Sequence, residues 1–183
     1  DIIAIYGNML SAYKAAGLKE GYVLTALNYL EWRRGAERYI RPLQAKGEAL
    51  VLTDDTYLKA LNTLKSKYAS EPICAEVYLA QARYAIEKQQ QVNALQLCDE
   101  AIRLYPGYDR INALKNLREE ILAPYLNVYA ADQAFPNEEI ELRASHKNLD
   151  GFTVRIYQAK KLIKEQHYSV IRPEDYRTQD TVF

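Results

Sequence analysis

Apolar positions along the first two thirds of the chain recur every three to four residues. Leu24, Leu27 and Leu30, with Glu31 beside them, form one such run, and Leu58, Leu61, Leu64 and Tyr68 form another. That spacing puts the apolar side chains on one face of a helix. Six helices are expected, over 2–16, 19–41, 54–68, 73–88, 91–105 and 109–122. Asp54 or Asp55 can cap the third, because a short carboxylate accepts the orphan N–H groups of a first turn. Ser70-Glu71-Pro72 ends that helix and opens the next, with Pro72 inside the first turn. Pro106-Gly107 is a second break, and Asp109 can cap the helix after it. Pro42 should end or kink the long second helix.

From Pro124 onward the period falls to two. Ile140, Leu142 and Ala144 alternate with Glu139, Glu141, Arg143 and Ser145, and Phe152, Val154 and Ile156 alternate with Thr153, Arg155 and Tyr157. Such alternation marks half-buried strands. The stretch His146–Gly151 has turn chemistry at Asn148 and Asp150-Gly151, so the two strands are expected to pair as an antiparallel hairpin. A strand over Leu126–Ala131, a Pro136-Asn137 turn and one more strand near Tyr168–Ile171 complete the pattern, before Pro173 and a polar tail. The resulting class is α+β in two segregated parts. Residues 1–124 make antiparallel helical hairpins of tetratricopeptide-like type, and residues 125–183 make a partial antiparallel β-sandwich of three to four strands. A sandwich domain takes about 100 residues and seven strands, so this second part is expected to be the start of a truncated domain. The apolar edge around Leu126, Val128 and Ile156 is expected to meet the last helix near Ile121. The ends are expected to be those of a fragment of something longer or of a trimmed mature piece: Asp1-Ile2-Ile3-Ala4 has no initiator Met or basic leader, and the chain stops at Val182-Phe183.

Within the helical part, residues 75–106 fit one helix-turn-helix repeat. Tyr78 stands at the large position, Ala82, Ala94 and Ala101 at the small ones and Pro106 at the end. Alanine there lets paired backbones approach closely. The usual aromatic is displaced, with Ala85 in its place and Tyr84 one position early. A second unit upstream is degenerate, since Glu48 and Lys67 occupy its small positions.

Composition narrows the function. The 183 residues carry 24 Lys+Arg against 24 Asp+Glu, a balance that argues against a nucleic-acid partner. No apolar run reaches the about 20 residues of a membrane helix. A search for chemistry finds no Gly-rich phosphate loop, no Gly-x-Ser-x-Gly elbow and no His-Glu-x-x-His. No catalytic, cofactor-binding or metal-binding residue is therefore assigned, and no small-molecule substrate is evident. His146 reads as a solvated turn histidine, and neither it nor His167 has a ligand-spaced partner. Cys74 and Cys98 read as buried free thiols beyond disulfide reach. Glu119 and Glu120 point to different helix faces and cannot share acid–base work. Tyrosine is abundant, with 16 Tyr beside 3 Phe and 1 Trp. Groove filling explains most of them. Tyr29, Trp32, Arg33 and Arg34 are the densest group of interface-type residues and the candidate protein-interaction surface.

A family resemblance covers residues 75–157. It is carried by Ala75-Glu76-Val77-Tyr78, by Asn93-Ala94-Leu95-Gln96-Leu97-Cys98-Asp99-Glu100-Ala101-Ile102 and by Tyr105-Pro106. It continues through Ile121-Leu122-Ala123-Pro124-Tyr125-Leu126, Phe135-Pro136-Asn137-Glu138, Lys147-Asn148-Leu149 and Val154-Arg155-Ile156-Tyr157. These segments resemble the N-terminal region of alpha-2-macroglobulin family proteins of Bacteroides-type bacteria, where a tetratricopeptide-like helical region leads into the first macroglobulin β-sandwich domain. The resemblance implies a non-enzymatic part of a protease trap or inhibitor outside the cytoplasm, in the periplasm or cell envelope. Its partners would be other domains of the parent chain and proteases. The family's reactive thioester motif is Cys-x-Glu-Gln. Cys74-Ala75-Glu76-Val77 lacks the Gln that supplies the acyl group and lies among helices, so no trap chemistry is assigned to it. The rival expectation is a free-standing tetratricopeptide-like adaptor holding a partner peptide in a helical groove. An enzyme ranks last, for want of a convergent acid, base or nucleophile.

Overall fold

The structure, a computed structural model, describes residues 2–35, 52–130, 139, 141–158 and 161–182. Six helices come first: α1 Ile2–Ala15, α2 Lys19–Gly35, α3 Asp54–Lys67, α4 Cys74–Glu87, α5 Gln91–Leu104 and α6 Asn112–Leu122. Five strands come after them, β1 Tyr125–Ala130, β2 Leu142–Lys147, β3 Gly151–Gln158, β4 Lys161–Ser169 and β5 Gln179–Val182. The switch from helix to strand falls at Ala123-Pro124, so the chain has the α+β layout. Pro42, Glu48 and the Pro136-Asn137 turn lie outside the described residues, as does the expected continuation of the second helix past Gly35.

Consecutive helices pack on one another, and α2 also touches α4. The α1–α2 turn needs one glycine for its backbone, and α2 carries a second against α1. Gly17 sits at φ +68°, and a Cβ on Gly21 would meet the Tyr13 ring at 2.6 Å. Alanine elsewhere does what the repeat pattern requires. Ala82 on α4 and Ala94 and Ala101 on α5 are fully buried, which brings the two backbones together. Helix α4 is the central element, with Cys74, Val77, Tyr78, Leu79, Ala82, Tyr84 and Ala85 all in the core.

Several helix starts differ from expectation. Thr53 caps α3, its Oγ1 accepting from Thr56 N–H at 3.3 Å, and Asp54 and Asp55 occupy the first turn instead. There their carboxylates favour the positive end of the helix dipole. Pro72 lies ahead of α4 in a tight turn, its carbonyl accepting from Ala75 N–H at 3.1 Å. Helix α6 starts at Asn112 rather than 109. A turn closed by Ile111 N–H on Tyr108 O comes first, and no side chain caps the helix. Asp109 is thus not a cap.

The strands form two small antiparallel sheets, one ordered β1-β2-β5 and one a β3-β4 pair. The expected hairpin between the Leu142 and Phe152 strands does not form, because β2 and β3 belong to different sheets. Asn148 adopts φ +56°, and the segment His146–Gly151 is a corner between sheets. Leu126, His146 and Gln179 are cross-strand partners, as are Val128, Ala144 and Thr181. Ala144, His146 and Phe152 are buried where the two sheets meet, with Phe152 6.0 Å from His146 and 5.6 Å from Tyr168, centroid to centroid. The expected strand at Tyr168–Ile171 is longer and earlier, as β4. The polar tail supplies β5, which brings the count to five among the described residues.

The junction with the helices is polar. Leu126, Val128 and Ile156 remain 43%, 45% and 41% exposed, so the apolar contact expected near Ile121 does not cover them. Instead Lys147 Nζ donates to Glu120 O at 2.8 Å, and Asn148 Nδ2 donates to Ile121 O at 2.9 Å and Ala123 O at 3.2 Å. Carbonyls at a helix C-terminus have no intrahelical donor, and a cation and an amide suit them.

Candidate protein-interaction groove

The four residues that stand together in sequence at the end of α2 part in space, because successive helical residues point about 100° apart. Tyr29, Trp32 and Arg33 turn toward α1. Tyr29 lies 4.9 Å from Tyr6 and Trp32 lies 6.2 Å from each of them, ring centroid to centroid. The Arg33 guanidinium sits 5.6 Å over Tyr29. All three side chains are half-buried, so this face serves first to hold α1 on α2.

Arg34 turns the other way. Its guanidinium lies 4.8 Å from the Tyr57 ring centroid and 5.5 Å from that of Tyr84. It donates to Glu87 at 2.7 Å and to Glu31 at 3.2 Å. The buried Tyr57 hydroxyl donates to Glu31. Burial, and then Glu31, push the Tyr57 phenol far above its ordinary range. Lys88, over Tyr84 and paired with Asp54 at 2.6 Å, extends the same network.

Beside that network runs a groove of about 580 Å³ between α2 and α4. Two straight stripes at helical spacing line it, Leu24, Leu27, Asn28 and Glu31 on α2 and Glu76, Ala80, Arg83 and Glu87 on α4. Arg34 with Glu31 and Glu87 closes one end. Arg110 closes the other, 3.3 Å from Glu76. Glu76 is only 7% exposed and also accepts from the Tyr108 hydroxyl at 3.0 Å. Arg83 lies between the two ends, exposed and in no ion pair among the described residues. Leu24, Leu27 and Leu79 supply an apolar floor. The lining contains no imidazole, thiol or hydroxyl nucleophile. What it offers is the Asn28 amide, one open guanidinium and apolar contact.

Only Arg34 of the four sequence candidates lines this groove. Asn28, Glu76 and Arg83 were missed. The signal was present in α4, where Glu76, Arg83 and Glu87, its three charged residues, share one stripe.

The histidines and cysteines lie outside this groove. His146 is 2% exposed within β2, its Nε2 3.0 Å from Thr181 Oγ1, not a solvated turn residue. His167 on β4 places Nδ1 2.9 Å from Thr153 Oγ1. Cys74 and Cys98 are buried free thiols. Burial raises both thiol pKa values, that of Cys98 to about 11 with the neighbouring Asp99 adding to the effect. Among the described residues no His, Cys, Asp and Glu cluster could hold a metal ion, and no helix is long and apolar enough to cross a membrane. No family model, no curated protein and no solved structure matches the chain.

Proposed function

We propose that this chain is a non-catalytic scaffold and protein-interaction region, the N-terminal part of a macroglobulin-like protease trap of the bacterial cell envelope. The observation that carries the reading is the order of the fold. A helical array ends at Leu122 and passes within two residues into strands in two sheets, in the order the resemblance implies. The Lys147-Asn148-Leu149 segment, one of those that carry the resemblance, supplies the polar latch onto α6. In this reading the helices present and orient the sandwich domains that come after them, and proteases are the partners of the whole protein. The reading frame of the parent gene beyond Phe183 tests it directly. Successive β-sandwich repeats are the expected outcome, and a stop codon soon after Phe183 would sink the proposal.

A second reading has its own observation in its favour. The α2–α4 groove, with Arg83 uncommitted over an apolar floor, suits an extended peptide, and the chain would then act as an adaptor. Peptides selected for binding from a random display library should lose at least tenfold in affinity for the Arg83→Glu variant. Binders that ignore both this change and Asn28→Ala would place the contact elsewhere and remove the groove from consideration.

A further inference from the structure

Among the described residues, Tyr57, Tyr68, Tyr78, Tyr84 and Tyr105 are buried, and all but Tyr68 place the hydroxyl on a partner. Tyr57 and Tyr105 donate to Glu31 and to Ala69 O, and Tyr78 and Tyr84 are bonded to Glu100 and Asp54. Tyr68 is 8% exposed, yet its hydroxyl has no hydrogen-bond partner among the described residues. A polar atom of a buried ring that the protein leaves unpaired is one that a bound molecule can satisfy. The lysines that lie over tyrosine rings repeat the contrast. Lys65, 3.9 Å from the Tyr78 ring centroid, pairs with Glu100 at 3.6 Å. Lys88, 5.5 Å from that of Tyr84, pairs with Asp54 at 2.6 Å. Lys67 lies 5.0 Å from the Tyr22 centroid and 5.2 Å from that of Tyr68, and no carboxylate pairs with it among the described residues. A ring face attracts a cation but carries no net charge to cancel it. Lys67 and Tyr68 line one pocket of about 300 Å³, between the α1–α2 turn and the end of α3. Tyr13 and Tyr22 add ring surface to it. Lys14, also without an ion pair among the described residues, and Lys19, paired with Glu71, add charge. Three ammonium groups thus line the pocket against one carboxylate, in a chain whose total charge is zero.

We propose that this pocket binds a small organic anion, a carboxylate or phosphate carried on a single ring. The headgroup takes the place beside Lys67 that Glu100 and Asp54 fill beside Lys65 and Lys88, and it accepts from the Tyr68 hydroxyl. The ring lies against the tyrosine side chains in offset or edge contact. Size limits the ligand as well. Small-molecule pockets run from about 300 to 1,000 Å³, and one at the lower end holds a single ring with its headgroup. A lysine ammonium is a point charge without the fork of an arginine, so charge and ring define the ligand class, and carboxylate and phosphate both meet it. None of the lining residues belongs to the α2–α4 groove. The site therefore depends neither on that groove nor on the reading of the whole chain.

Backbone amide NMR shifts of the chain, titrated with four probes, test the proposal. Phenyl phosphate and 3-phenylpropionate carry both ring and anion. Inorganic phosphate carries the charge alone, and benzylamine carries the ring with the opposite charge. The first two should move amides within 13–22 and 67–71 saturably, with a dissociation constant on the order of 1 mM for so small a ligand. The other two should bind at least about tenfold more weakly. Lys67→Met should weaken phenyl phosphate about tenfold and Tyr68→Phe about fivefold, each with the melting temperature nearly unchanged. Lys14→Glu reverses an exposed charge without touching the core, and it should weaken binding while the fold stays intact. Four results overturn the proposal: no saturable shift at these residues, inorganic phosphate binding as tightly as phenyl phosphate, benzylamine doing so, or affinity that ignores both Lys67→Met and Lys14→Glu. Equal binding of inorganic phosphate would reduce the site to diffuse attraction by surface lysines.

Discussion

Arg34 illustrates how much a single side chain settles in this protein. It stands next to Arg33 in sequence and looks equally suited to a partner surface. Arg33 covers a tyrosine on the α1 side. Arg34 joins α2 to α3 and α4 through two rings and two carboxylates. The ion pairs are partly solvated and add little by themselves, while the stacked guanidinium adds about 1 kcal/mol per desolvated ring contact. Arg34→Met should therefore lower stability by about 1–2 kcal/mol in urea unfolding. An unchanged unfolding midpoint would contradict this division of faces between the two arginines. Sequence alone could not make it. Adjacent residues are legible as a cluster, but which face of α2 meets which neighbour depends on helices far away along the chain. His146 was misread for a related reason. Its turn-like neighbours were legible, and the opposing Phe152 that helps bury it comes from another sheet.

At the level of elements, the helices were largely readable because a helix satisfies its own hydrogen bonds and shows its buried stripe locally. The starts of α3 and α6 were less so, since several capping residues compete within a few positions. Strand pairing was harder. Turn chemistry at Asn148 and Gly151 is shared by hairpins and by corners, and the choice between them is made by β5, whose residues Gln179, Asp180 and Thr181 show no apolar alternation. The α4–α5 connection gives a measurable case. Gln89 sits at φ +58°, and Gln90 N–H reaches Ala85 O at 2.8 Å while Gln89 N–H reaches Ile86 O at 2.9 Å. This is the doubly bonded helix ending that glycine usually occupies. A side chain in the left-handed region is strained, so Gln89→Gly should raise stability by about 0.5–1 kcal/mol after the added freedom of the unfolded chain is subtracted. A fall in melting temperature would show that the Gln89 side chain makes a contact worth more than the strain.

For the whole molecule, the tyrosine-rich composition turns into a pH response. Burial first, and then neighbouring carboxylates at Tyr57, Tyr78 and Tyr108 and the Cys74 thiol at Tyr105, raise all four phenols. Burial raises Cys98 to about 11. Each of these groups holds its proton more tightly when folded than when unfolded. Above pH 9 the unfolded chain releases protons that the folded chain keeps, so the unfolded state gains. Their contribution is fully present at neutral pH and is lost as pH rises from about 9 through 11 and beyond. Thermal melts should be flat in this contribution from pH 7 to 8.5 and then fall steeply. Phenolate absorbance should report one group of tyrosines that ionises only together with unfolding. A smooth titration of all sixteen near pH 10 with the fold intact would refute the burial argument. Composition made the aromatic excess plain, but not which hydroxyls lie inside.

The latch at Asn148 also restrains the two parts against one another. A single covalent link at Ala123-Pro124 would be a swivel, free to turn and tilt about one point. The hydrogen bonds from Lys147 and Asn148 to the carbonyls of Glu120, Ile121 and Ala123 add further attachments beside that link. The strands are thus tied to the helices at several points, and turning them about the link means breaking these bonds first.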